Sequence, residues 1–162
     1  MALTNYKTKI AIVYTSITGN TECLANRIYE NAAAIPDHEA SLFTPKHFPF
    51  ERLTDFDAVL VGTYTWGNGR IPREMRELYE AMETIKRKQL VTGVFGTGDR
   101  FFANYCGAVN QFRDMLYVRT NLAATLKVEL MPQVQDESRS KAFVDAIARR
   151  IEISCRKKAK MY

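Results

Sequence analysis

Between Thr15 and Thr21 the chain reads Thr15-Ser16-Ile17-Thr18-Gly19-Asn20-Thr21, hydroxyl and amide side chains gathered around one glycine. An apolar run ends just before this stretch and an amphipathic one begins within it. Leu24, Ile28 and Ala32 then recur every four residues, which predicts a helix starting at the loop. Unpaired N–H groups and the positive end of a helix dipole favour an anion at such a place. Glycine lets the backbone approach closely, and hydroxyls add donors. Phosphate binding is the chemistry this suggests. Neither G-x-x-x-x-G-K-[ST] nor G-x-G-x-x-G is present, so a phosphate monoester fits better than a triphosphate or a dinucleotide. A plain turn and helix cap would use the same residue types, and this loop alone leaves both readings open.

Two further loops bear on the choice. Thr63-Tyr64-Thr65-Trp66-Gly67-Asn68-Gly69 places the only tryptophan of the chain in a glycine-rich segment. A large aromatic exposed there needs a reason, and stacking on a planar, electron-poor ring supplies one. The competing reading folds Trp66 back onto the core. Gly96-Thr97-Gly98-Asp99-Arg100-Phe101-Phe102 again joins glycines to aromatics, ready to close the opposite face of the same ring. Two aromatic walls and a phosphate cradle together point to flavin mononucleotide, FMN.

The elements that must position these loops are short apolar strands alternating with amphipathic helices, the pattern of β-α-β units sharing a parallel sheet. Strands are expected at Ile10 to Tyr14, within Glu39 to Phe43, and at Ala58 to Gly62, Leu90 to Phe95 and Leu126 to Leu130. Helices are expected from Thr21 to Ala33, near Glu51 to Thr54, and after Pro72 with Met75, Leu78, Tyr79, Met82 and Ile85 buried. Two more follow, one around Val109, Phe112 and Leu116 and one around Phe143, Ile147 and Ile151. This is an α/β fold with five strands and five helices, its ligand loops following strands one, three and four at their carboxyl ends. Met75, Tyr79 and Phe112 read as core packing. His38 and His47, with no cysteine or acidic cluster at ligand spacing, read as surface residues.

The 162 residues, 46% hydrophobic and 25% charged, suit a single domain spanning the chain, with an ordered core over about residues 8 to 155. No apolar run is long enough for a transmembrane helix and no leader is evident, so a cytoplasmic protein is expected. Cys23, Cys106 and Cys155 are odd in number and form no C-x-x-C pair, which argues for reduced thiols and against a disulfide framework or a zinc site. The formal charge of +5 falls short of a nucleic-acid signature. Much of it comes from Arg149, Arg150, Arg156, Lys157, Lys158 and Lys160, read as a solvated helix end and frayed tail.

The stretch from Ile12 through Thr21 to Ala25 and Ile28 resembles the first-strand signature of the flavodoxin family. Gly62 to Gly69 resembles its tryptophan loop, and Gly98-Asp99 with Cys106-Gly107-Ala108-Val109 its third loop. The likeness extends over nearly the whole chain and is to the short-chain subclass. It implies a doubly wound five-stranded parallel sheet of order 2-1-3-4-5. It also implies an FMN site in which Ser16, Thr18, Asn20 and Thr21, within the loop that includes Thr15, Ile17 and Gly19, hold the phosphate. Tyr64 stands where the family often has a small hydroxyl residue near the phosphate. Thr65 would contact the ribityl and ring region and Trp66 the inner ring face. Gly67 and Asn68 would lie at the redox-sensitive edge, where a carbonyl can accept a hydrogen bond from the one-electron-reduced flavin, and Gly69 would complete this part of the cofactor site. Thr97, Gly98, Asp99 and Cys106 would meet the pyrimidine end, Tyr105 would bind the cofactor beside Cys106, and Phe102 would take the outer stacking position.

The implied function is one-electron transfer, as a monomer with no substrate site, from a flavodoxin or ferredoxin reductase to client redox enzymes. Nucleic acid and membrane are not expected as partners. Alternatives are an activator of one metalloenzyme such as ribonucleotide reductase, a flavin-dependent quinone reductase, and a degenerate cofactor-free module. A phosphoacceptor receiver is excluded by Gly62 and Thr63, where an aspartate would be needed. Family members are typically acidic around the flavin. Here Arg70, Arg73 and Arg100 flank the site, which is expected to make the protein a somewhat weaker reductant.

Overall fold

A computed structural model describes residues 6–85 and 87–161. Five strands, β1 (Thr8–Tyr14), β2 (His38–Phe43), β3 (Ala58–Thr63), β4 (Val91–Gly98) and β5 (Asn121–Glu129), form one sheet in the order β2-β1-β3-β4-β5. All neighbouring strands are parallel. The helices are α1 (Asn20–Ala33), α2 (Arg76–Thr84), α3 (Gly107–Arg119) and α4 (Asp136–Lys160).

Strand alternation sends successive side chains to opposite faces, and here both faces are covered. Ile10 and Ile12 of β1 and Leu60 of β3 join Leu24 and Ile28 of α1 and Phe143 and Ile147 of α4 on one side. Ala11 and Val13 of β1 and Val59 and Val61 of β3 join Leu78 and Met82 of α2 and Phe112 and Leu116 of α3 on the other. Every residue of β3 is buried, which is why it reads as an unbroken apolar run. Met75 and Phe112 are fully buried, and Tyr79 packs edge-on to Phe112 with ring centroids 5.2 Å apart, as core roles require.

Several boundaries differ from the sequence-based expectation. β5 starts at Asn121 rather than Leu126, because Asn121-Leu122-Ala123-Ala124-Thr125 has only Thr125 as a strand-favouring residue and is recruited by pairing with β4 across a register shift at Thr92/Gly93. β4 runs on through Gly96, Thr97 and Gly98 rather than ending at Phe95, so the start of the expected loop is strand. The segment near Glu51 is a 3-10 helix, Phe50–Asp55, leaving four α-helices among the described residues instead of five. Pro72 is extended, with ψ 145°, and precedes a 3-10 turn, Arg73–Met75, that leads into α2. Ile85 lies just past the α2 C-terminus. The tail expected to fray continues α4 through Lys160. His47 is exposed and bonded to Thr44 (Oγ1 to Nδ1, 2.8 Å), but His38 is half-buried with Nδ1 unpartnered, and burial lowers its pKa.

After β1 the chain turns back to build β2 on one side, then crosses to β3 on the other. That reversal opens a crevice beyond the carboxyl ends of β1 and β3.

Candidate functional site

The loop after β1 enters the crevice on a fixed start. The Thr15 N–H donates to the Gly62 carbonyl at 3.1 Å, and its hydroxyl donates to Glu74 Oε1 at 2.9 Å. Ser16 Oγ accepts the Gly19 N–H at 3.2 Å. Gly19 has φ +91°, a left-handed conformation that strains any residue with a Cβ, and stands at the N-cap of α1 without a side-chain cap bond. The first N–H groups of α1 are therefore left for an anion. Thr21, fully buried, ties the loop to β4 through a 2.7 Å bond between its Oγ1 and that of Thr97.

The loop after β3 is a tight reversal. Trp66 and Arg70 exchange two backbone hydrogen bonds, of 2.8 and 2.7 Å, around Gly67 and Gly69, both at positive φ. The loop is pinned to α3 and the turn before it. Thr65 Oγ1 accepts the Ala108 N–H at 3.2 Å, Asn104 Nδ2 donates to the Asn68 carbonyl at 3.0 Å, and Gln111 Nε2 donates to the Gly69 carbonyl. A Cβ on Gly107 would come within 2.7 Å of Gly69 Cα, so this approach needs a glycine. Tyr64 donates its hydroxyl to Glu74 Oε1 at 2.7 Å.

In the loop after β4, Asp99 Oδ1 accepts the Phe101 N–H at 2.9 Å, and the Asp99 carbonyl accepts that of Phe102 at 3.1 Å. Burial pushes the Cys106 thiol up to about 11, so it is a packing group rather than a reactive thiolate. Burial likewise raises the pKa of Tyr105, against which Arg100 stacks with its guanidinium 5.5 Å from the ring centre.

The three loops enclose a cavity of about 450 Å³, in the range of small-molecule sites. Ser16, Ile17, Thr18, Asn20 and Thr21 line one end. Tyr64, Thr65, Trp66 and Gly67 line a side, and Thr97, Gly98, Asp99, Phe102, Tyr105 and Cys106 the rest. Trp66 is 57% exposed and Phe102 63%, so the tryptophan does not fold back onto the core. Four residues expected in the site are not on its wall. Thr15 is spent on Gly62 and Glu74, Gly19 shapes the turn, and the Asn68 and Gly69 carbonyls accept from Asn104 and Gln111. Asn104 and Leu130 line the cavity and were missed. Leu130 reaches it because the chain leaves β5 with that residue at φ +54° and its N–H on the Gly98 carbonyl, a long-range placement with no local signal. Glu74 was missed as well, since it reads as one more acid on a helix face.

A doubly wound sheet with a phosphate-type helix terminus and two exposed aromatics at its switch point defines a mononucleotide-binding α/β protein. The flavodoxin family model matches residues 12–125. The chain is 36% identical over 143 residues to "Probable flavodoxin 1" of Bacillus subtilis, covering 82% of this chain and 84% of the relative. It is 35% identical over 132 residues to "Probable flavodoxin 2" of that organism, covering 80% and 87%. Its fold superposes on oxidised Flavodoxin 2 from Bacillus cereus with TM-score 0.81 and 34% identity, covering 88% of this chain and 99% of that one. The chain belongs to the flavodoxin family, short-chain in type, with FMN as cofactor and electron transfer as its role. No described helix is long and apolar enough to cross a membrane, and no metal-binding cluster occurs among the described residues.

The residues fit that cofactor. An uncapped helix N-terminus with Ser16, Thr18, Asn20 and Thr21 suits a phosphate ester, and the exposed aromatic rings of Trp66 and Phe102 on the cavity wall suit a flat ring.

Proposed function

We propose that this protein shuttles low-potential electrons from a flavodoxin or ferredoxin reductase to client redox enzymes, as a monomer without a substrate site of its own. The observation that carries the reading is the exposure of Trp66 and Phe102, both of which line the cavity. A carrier must leave the edge of its redox group open to successive partners, whereas an enzyme acting on a small substrate needs a further enclosed space beside it. FMN, when bound, supplies reversible one-electron chemistry.

The chain's own residues bind and orient it. Ser16, Thr18, Asn20 and Thr21 and the first N–H groups of α1 take the phosphate. Trp66 and Phe102 stack on the ring, and Thr97, Gly98, Asp99, Tyr105 and Cys106 meet its pyrimidine end. Thr65 contacts the ribityl and ring region. Gly67 sits at the redox edge, where a change in hydrogen bonding needs a backbone free to turn, and a Cβ built on it would meet nothing within 4 Å. Cys23, Cys106 and Cys155, all free, support a reducing, cytoplasmic setting.

FMN titrated into the apoprotein should lose its fluorescence by stacking and stay with the protein through gel filtration. FMN that elutes free would overturn the reading and leave a cofactor-free module.

A further inference from the structure

Glu74 stands outside the cavity, in the 3-10 turn between the extended Pro72 and the fully buried Met75, so its backbone is held on both sides. One of its oxygens, Oε1, accepts two hydroxyls from two different loops, Thr15 at 2.9 Å and Tyr64 at 2.7 Å. Those loops leave adjacent strands, β1 and β3, whose last pair is Tyr14 with Gly62. A hydroxyl has a single proton to give. With both protons on Glu74 and the Thr15 N–H on Gly62, neither Thr15 nor Tyr64 donates to a phosphate. Tyr64 lines the cavity while the group that receives its hydroxyl does not, so its phenol oxygen is drawn outward. Hydrogen bonds from two hydroxyls to one carboxylate are of the stronger, charge-assisted kind.

We propose that Glu74 is a positioning residue for FMN: it braces the first residue of the phosphate loop against the Tyr64 loop and keeps the Tyr64 hydroxyl out of the cavity. The proposal rests on the FMN site described above. It assigns the phosphate to Ser16, Thr18, Asn20, Thr21 and the α1 N–H groups, with Glu74 fixing where that loop begins. Riboflavin, which has no phosphate, makes no demand on this loop, and its affinity is therefore insensitive to the brace.

The test measures dissociation constants of FMN and riboflavin by flavin fluorescence for the wild type, Glu74→Ala and Glu74→Gln. Losing two charge-assisted hydrogen bonds should weaken FMN about tenfold in Glu74→Ala and leave riboflavin within about twofold. Glu74→Gln retains an acceptor oxygen and should recover FMN binding to within about threefold. Should Glu74→Ala not fold, the double variant Tyr64→Phe/Thr15→Val removes the donors instead and should show the same selective loss. Tighter FMN binding in both Glu74 variants would make the carboxylate a source of repulsion and overturn the proposal. So would unchanged binding, or equal losses for FMN and riboflavin. A wild type that binds neither flavin would refute the underlying site rather than the brace.

Discussion

At the scale of single residues the proposed FMN site divides by ligand part, and the division is measurable. Trp66→Ala and Phe102→Ala remove ring stacking, so each should weaken FMN and riboflavin by the same factor, about tenfold for about 1.4 kcal/mol of lost contact. Ser16→Ala or Thr18→Ala should weaken FMN alone, as paired titrations with the two flavins would record. Gly19→Ala places a Cβ at φ +91°, and urea unfolding of the apoprotein should show a loss of about 1–2 kcal/mol. Arg100 is a weaker cation than its position in the sequence implies, because it lies 3.7 Å from Glu129. Arg70, held beside Trp66 by two backbone bonds, has no ion-pair partner among the described residues. A unit charge about 10 Å from an anion in water-like surroundings is worth about 0.4 kcal/mol, or ~17 mV for one electron. Arg70→Gln should lower the second-electron potential by roughly that amount in a redox titration. Most wall residues were legible because Gly, Thr, Ser and exposed aromatics cluster in sequence. Leu130, which follows β5, and Glu74, which braces the site from outside the cavity, were not legible because each reaches it through tertiary placement, and Asn104 lies between Phe102 and Tyr105 without a type that marks it.

At the scale of elements, periodicity gave every strand and long helix, since burial on both sheet faces leaves continuous apolar runs in β1 and β3 and four-residue spacing in α1. It failed where pairing overrides propensity, as at the start of β5, and where glycine is required inside a strand. A Cβ on Gly96 would lie 2.2 Å from the Thr63 carbonyl oxygen, so a residue that looks like a loop former is there for close packing. The start of α4 carries a titratable contact. Asp136 is buried, and its carboxylate accepts the Gln133 N–H at 2.9 Å and pairs with Arg139 at 2.8 Å. The Gln133 bond is the largest influence holding its pKa below the ordinary 3.8, with Arg139 adding to it. A depressed carboxylate stabilises the fold above its unfolded pKa, and that stability disappears as pH falls through the folded value. Acid unfolding followed by circular dichroism should therefore begin at higher pH, and from a lower neutral-pH stability, in Asp136→Asn.

At the scale of the molecule, α4 runs antiparallel to β5. Arg139 near its start bonds the Lys127 carbonyl, and Arg150 further along bonds Asn121 and Leu122. The basic end of α4 thus lies at the amino ends of the strands, away from the cavity at their carboxyl ends. Much of the net charge of +5 is remote from the flavin site for this reason. Replacing Arg156, Lys157, Lys158 and Lys160 with glutamine should leave FMN affinity within about twofold, because screening reduces charge effects beyond about 8–10 Å at ordinary salt. The central claim is one-electron transfer by FMN bound between Trp66 and Phe102. Stepwise anaerobic reduction of the FMN-loaded protein, followed by visible absorption, tests it most directly. Two well-separated one-electron stages with the flavin still bound are expected; a single two-electron conversion at the potential of free FMN would contradict it.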